Sequence, residues 1–151
     1  MGDMSDFHGL MQFDFTKTNL NSDEIEETIE YICDYFDGMN FYIQAFLDEV
    51  EPEEYENKKV IVDFNGRGIN SFEYNIKLFT EKEFLNNIFP KCCGLEITFD
   101  YCNAEREANF IIRTAKINIK YGLDKAVVTK LDDGILYPYT EENMEKYYYN
   151  A

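Results

Sequence analysis

The stretch that most constrains this chain runs from Asn21 to Asp37. Ile25, Ile29, Ile32 and Phe36 recur at steps of four, three and four, an apolar stripe at helical period. Asn21 stands where a helix is capped, and Glu24 follows it at capping-box spacing. Gly38 comes just past the end, the usual stop residue. The pattern predicts a helix over 21–37 and demands an apolar surface for its stripe to cover.

The other side of that helix is unusual. At about 100° per residue, Asp23, Glu26, Glu27, Glu30, Asp34 and Asp37 fall within an arc of roughly 120° opposite the isoleucines. No Lys or Arg interrupts it. Six like-charge pairs stand three or four residues apart, and at about 0.2–0.5 kcal/mol each they destabilise the helix by roughly 1–3 kcal/mol. Asp34 and Asp37 also sit at the helix end where the dipole disfavours acids. The plain reading is a solvated face of an acidic protein. The sharper one is a surface kept negative for a positive partner.

Charge layout favours the sharper reading. The chain of 151 residues has a formal net charge of −16. Residues 1–57 hold sixteen acids against one base, Lys17, a balance of −15; residues 58–151 hold fourteen acids against thirteen bases, a balance of −1. Such asymmetry points to a charged interaction surface. It argues against direct binding to nucleic acid or to an anionic membrane, both of which select positive patches. With 45% apolar and 17% aromatic residues the chain is expected to be globular despite its charge, and its length suits one α+β domain. No apolar run approaches the length of a membrane span. No basic-then-apolar leader is seen, and Asp6 occupies the position where a myristoylation signal carries Ser or Thr, so a cytoplasmic location is expected.

Further along, Met11, Phe13 and Phe15 alternate with polar residues, as in a short strand. His8, the only histidine, falls in the lead-in, where a surface position is expected. Residues 39–51 admit two readings. Met39, Ile43, Phe46 and Val50 continue the helical stripe, yet Gly38 would cost about 1 kcal/mol inside a helix. The run 41–47 is apolar on nearly every side and fits a buried strand by length, which we prefer. Asp48, Glu49, Glu51, Glu53, Glu54 and Glu56 surround Pro52, a second acidic cluster expected as a loop beside the helix. Val60–Phe64 and Phe72–Leu78 read as strands paired across an Asn65-Gly66-Arg67-Gly68 turn. Thr80 would then cap a short helix over 81–89, before Pro90.

Leu95–Tyr101 alternates as a strand, and 103–107 is turn-like. The apolar side switches between Phe110/Ile112 and Ile117/Ile119/Tyr121, which predicts a bulge near Ala115. A strand over 126–131, a turn at Asp132-Asp133-Gly134 and a helix over 140–148 capped by Thr140 complete the chain. The expected fold is α+β: an antiparallel, meander-like sheet of about five to six strands, the acidic helix packed on one face, and short helices near 81–89 and 140–148.

Catalytic signatures are missing from the pattern. A histidine-based triad has only His8 to draw on. Asn65-Gly66-Arg67-Gly68 lacks the lysine and following helix of a phosphate loop. Cys33, Cys92, Cys93 and Cys102 form no CxxC pair and suit reduced, buried thiols. Asp132-Asp133 is the kind of pair that turns favour without a cation. No enzyme activity, metal or cofactor is therefore expected. Two function classes follow. The first is a non-catalytic inhibitor that blocks a basic, nucleic-acid-binding or nuclease partner: an immunity protein facing a toxin, or a phage or mobile-element protein facing a defence effector. Its binding residues would be Asp23, Glu26, Glu27, Glu30, Asp34 and Asp37, with Glu49, Glu51, Glu53 and Glu54 as a second set. Six carboxylates in line give one charge per roughly 3.5 Å of helix, close to the ~3.4 Å of a DNA strand, which makes nucleic-acid mimicry admissible. The second class is a small enzyme or ligand-binding domain built on Tyr, Asn and carboxylates. Scarce Ala and Arg beside abundant Asn, Ile, Lys and Tyr fit AT-rich coding, as in low-GC bacteria and their phages.

Overall fold

The computed structural model describes residues 4–36, 41–88 and 91–150. Seven strands form one antiparallel sheet: β1 (Met4–Asp14), β2 (Phe41–Ala45), β3 (Lys59–Ile69), β4 (Glu96–Glu105), β5 (Phe110–Tyr121), β6 (Ala126–Asp132) and β7 (Ile135–Pro138). Their order is β2-β3-β1-β4-β5-β6, with β7 pairing β5 beside β6. The first strand is thus central, bonded to β3 on one side and β4 on the other. Consecutive hairpins β4-β5-β6 supply the meander half.

The acidic helix, α1 (Ser22–Tyr35), forms as the capping pattern requires. Asn21 Oδ1 accepts from Glu24 N at 2.9 Å, and Glu24 Oε1 accepts from Asn21 N at 3.0 Å. Its Ile25, Ile29 and Ile32, and Phe36 just after it, are fully buried against one face of the sheet. Burying four such side chains contributes roughly 6–12 kcal/mol gross, which outweighs the 1–3 kcal/mol of repulsion on the opposite side. The same core layer takes Phe7, Met11 and Phe13 from β1, Val62 and Phe64 from β3, Phe99 from β4 and Ile117 from β5. On the other sheet face a smaller cluster of Cys102, Ala104 and Ile111 is covered by Met144 and Tyr148. These come from the C-terminal helix, α5 (Glu141–Asn143), which widens into a π-helical stretch over Met144–Tyr149 and is capped by Thr140.

Several expectations are corrected. The Asn65–Gly68 segment is not a turn but the middle of β3. Gly66 lies opposite Phe7 on one side and Ile43 on the other, and a Cβ there would overlap the Tyr42 carbonyl oxygen and stand 2.6 Å from the Phe7 ring. Its glycine serves close packing, not a reversal. The chain reverses later, at Asn70, whose φ is +66°. Residues 72–78 are helical instead of extended: α3 (Phe72–Asn75) runs into a 3₁₀ stretch, Ile76–Thr80. Phe72, Ile76 and Phe79 are buried at steps of four and three, while Tyr74 is exposed, so the helical period wins over the apparent alternation. Ser71 caps α3 by accepting from Tyr74 N.

Thr80 does not cap α4 (Lys82–Ile88); its hydroxyl donates back to the Lys77 carbonyl. The acidic 48–56 segment is not an open loop, because a 3₁₀ turn, Leu47–Glu49, and α2 (Pro52–Glu56) order it. Asn103 belongs to β4 and is fully buried, its Oδ1 accepting from Phe72 N. His8 lies within β1, half-buried, its ring edge-on to Tyr148 and its Nε2 2.7 Å from the Tyr148 carbonyl oxygen. The strand expected over 41–47 forms over Phe41–Ala45 only and is buried on one side, Tyr42 and Gln44 being exposed and Leu47 opening a 3₁₀ turn. The β5 bulge holds: Tyr101 pairs with Ala115 but Asn103 with Ile112, and Thr114 takes a φ of +63° at the inserted position.

Candidate protein-binding surface

Helical period places the ridge residues, and burial of the stripe fixes which way they point. Asp23, Glu26, Glu27, Glu30 and Asp34 are all exposed along α1. Over these residues the ridge extends about 16–17 Å at 1.5 Å per residue. Asp37 lies outside the described residues. Among the described residues, none of the five makes an ion pair. The neighbouring Glu24, which is committed to the cap, faces Lys91 at 3.9 Å, and the last turn of α1 carries no base. Lysines elsewhere do find acids: Lys116 meets Asp100 at 3.6 Å and Lys130 meets Glu73 at 2.5 Å. The carboxylates of the sheet are partly neutralised; those of the ridge are not.

The second acidic set joins the first only in part. The short α2 packs against α1. Its Tyr55 phenol is pushed up by burial first, then by Glu26 and Glu30 of the ridge and by Glu54. Glu51 and Glu53 are exposed on this flank, and Glu49 is exposed in the preceding 3₁₀ turn. Glu54 departs from the expectation. It is half-buried, and its two carboxylate oxygens accept from Glu51 N at 2.9 Å and Ile61 N at 3.0 Å. That carboxylate ties α2 to β3 and is a structural group.

On the other flank, α1 presents Tyr31 and Tyr35, half-buried with ring centroids 5.9 Å apart. Tyr35 also meets Phe84 of α4 edge-on at 5.0 Å. The Tyr31 phenol is raised by burial, then by Tyr35 and Glu83, and that of Tyr35 by burial, then by Glu83 and Glu81. Glu81 and Glu83 therefore extend the negative field past the tyrosines. In the sequence they stand only at the start of the short helix expected over 81–89. Their approach to α1 depends on Phe84 docking onto Tyr35 and Phe36, a long-range contact with no local signature.

A different recess lies on the opposite sheet face. Asp6, His8, Tyr42, Asn65, Tyr148 and Tyr149 line a groove of about 470 Å³ under the C-terminal helix. Its composition matches the alternative Tyr/Asn/carboxylate site. However, Asp6 is held by Arg67 at 2.7 Å and His8 Nε2 is engaged by the Tyr148 carbonyl. Both groups that chemistry would draw on are already committed. In comparisons with known proteins, no family model matched the chain, and neither a curated protein nor a solved structure showed significant similarity.

Proposed function

We propose that this chain is a non-catalytic inhibitor that lays its acidic α1 ridge against a basic nucleic-acid-binding or nuclease surface of a partner protein. The reading fits an immunity protein or a phage or mobile-element anti-defence protein. The observation that carries it is the row of five exposed carboxylates on α1, without an ion pair among the described residues and tolerated at a cost in helix stability. Glu51 and Glu53 on one flank and Glu81 and Glu83 on the other widen the field. Complementary charge of this kind speeds association and sets register more than it adds raw affinity. Tyr31, Tyr35 and Tyr55 offer aromatic faces beside the carboxylates, suited to the stems and heads of Arg side chains.

Affinity capture at two salt concentrations tests the reading. The retained partner should be basic and should elute as salt rises from about 50 to 500 mM, where the Debye length shrinks from roughly 14 to 4 Å. The double variant Glu27→Lys/Glu30→Lys should lose capture while keeping its fold. Equal capture by wild type and the double variant would place the partner site elsewhere.

A further inference from the structure

The far edge of the sheet carries a separate surface. β6 ends the strand order, and among the described residues no strand pairs with its outer side. The direction of its backbone groups can be followed from β5. Tyr121 N donates to the Leu95 carbonyl and Tyr121 O accepts from Gly94 N, so Tyr121 spends its backbone groups toward β4. Ala126, opposite Tyr121, therefore turns its own N–H and C=O outward, and Val128 and Lys130 follow at alternate positions. Val127 and Thr129 bond inward to Lys120 and Asn118.

This edge keeps some of the guards that stop such rows from pairing, a lysine, a bulge and contact with the 3₁₀ stretch Ile76–Thr80, and lacks others. No proline interrupts it. Its one lysine, Lys130, is drawn to Glu73 at 2.5 Å and Asp133 at 3.4 Å. A bulge at Leu131 limits the regular stretch to Ala126–Lys130. Exposed apolar side chains flank it on both faces: Val127 at 50% on the face of Lys120, Val128 at 40% on the face of Ile119, Leu131 at 56% at the bulge, and Ile135 and Leu136 beyond the turn at 52% and 57%.

We infer that β6 pairs with β6 of a second copy of this chain, antiparallel about a two-fold axis through Val128. Three observations select a second copy. First, the segment complements itself. With Val128 on the axis, Ala126 faces Lys130 and Val127 faces Thr129, so no like charges are opposed within the regular stretch Ala126–Lys130. Continued further, that register would set Asp124 across from the second copy's Asp132, and the bulge at Leu131 ends the pairing before that point. Second, these few side chains bury less than the ~800 Å² per partner of a standard interface, so the main contacts would be ladder bonds from the outward N–H and C=O groups of Ala126, Val128 and Lys130. Third, a chain of net charge −16 can meet its copy only where its own field is weak. Residues 123–136 hold three Asp against two Lys, and β6 lies at the opposite edge of the sheet from β2, against which α1 packs. Both acidic ridges stay open in such a dimer, which becomes bivalent toward any partner.

Light scattering with size-exclusion chromatography, from about 5 to 500 µM protomer, reads the mass directly. Wild type should approach twice 17.9 kDa as concentration rises. Val128→Lys brings two like charges together on the axis and should stay monomeric throughout, with an unchanged melting temperature. Val128→Cys places two thiols at a Cα separation of about 5.5 Å, suited to a disulfide, and should oxidise to a covalent dimer. The ridge variant Glu27→Lys/Glu30→Lys should dimerise as wild type does. A monomeric wild type, a dimeric Val128→Lys, a Val128→Cys that fails to cross-link, or loss of the dimer on ridge reversal would each overturn the inference.

Discussion

Glu30 lies at the centre of the repulsion that the proposed function depends on. Among the exposed ridge residues it takes part in three like-charge pairs, with Glu26, Glu27 and Asp34. Glu30→Gln removes all three, a gain of roughly 0.6–1.5 kcal/mol at ~0.2–0.5 kcal/mol each. Glu30→Lys turns the three repulsions into attractions. Glu26 and Glu27 then precede the lysine in the better orientation and Asp34 follows it in the poorer one, so about 1–2.5 kcal/mol is expected. Intrinsic helix propensity is nearly the same for Glu and Lys and does not confuse the comparison. Urea unfolding at low salt should show the midpoint rising by about 1 M for Glu30→Lys, at a slope near 2 kcal/mol/M. In 1 M salt, where the Debye length is about 3 Å, most of the gain should vanish. Removing Glu30 should also let the Tyr55 phenol titrate lower, since the ridge acid is one of the groups that raise it. The same variant should bind the proposed basic partner more weakly. A Glu30→Lys that is neutral or destabilising at low salt, or whose gain ignores salt, would refute the claim that the ridge trades stability for charge.

Two further outcomes test the packing beneath that surface. Gly66→Ala should destabilise by about 2–3 kcal/mol or more, lowering the melting temperature by roughly 4–12 °C, because its Cβ has no room between the Tyr42 carbonyl and the Phe7 ring; calorimetry checks this. Thiol titration should find Cys93 alone reacting quickly in the native state, with all four reacting in denaturant. Burial pushes Cys33 and Cys102 up to about 12 and Cys92 up to about 11. The unfolded thiol ionises near pH 9, so Cys33 keeps its full contribution to stability below that pH and loses it between about pH 9 and 12, at up to ~1.4 kcal/mol per pH unit. Alkaline unfolding in that window is the expected result.

What could be read ahead of the structure was what is locally determined. The Asn21/Glu24 cap, the isoleucine stripe and the change of side along 110–121 each involve residues within a few positions of one another, and each recurs in the fold. The failures share one cause. Asn65-Gly66 carries strong turn chemistry, yet Phe7, distant in sequence, requires a glycine there with no side chain in its way. Phe72–Leu78 alternates like a strand, yet the core accepts Phe72, Ile76 and Phe79 from a helix, with the Phe72 amide satisfied by Asn103. The site divides in the same manner. The α1 carboxylates follow from helical period alone, whereas the inward role of Glu54 and the approach of Glu81 and Glu83 depend on tertiary contacts.

That division bears on how folding and binding share one segment. The acidic third of the chain is no appendage, because it begins with β1, the strand hydrogen-bonded to neighbours on both sides. Removing it would open the sheet at its centre. Yet inside that third the core residues and the proposed binding residues fall on different faces. Phe7, Met11, Phe13 and the α1 stripe are buried, while Asp23, Glu26, Glu27, Glu30 and Asp34 touch water. Each ridge carboxylate can be exchanged without opening a cavity or orphaning a buried donor, so selection on the proposed binding surface can act there with little effect on the core. A surface altered so freely should drift toward interleaved lysines if stability were its only requirement, since each such exchange is stabilising. The uninterrupted negative row therefore argues that something other than folding maintains it.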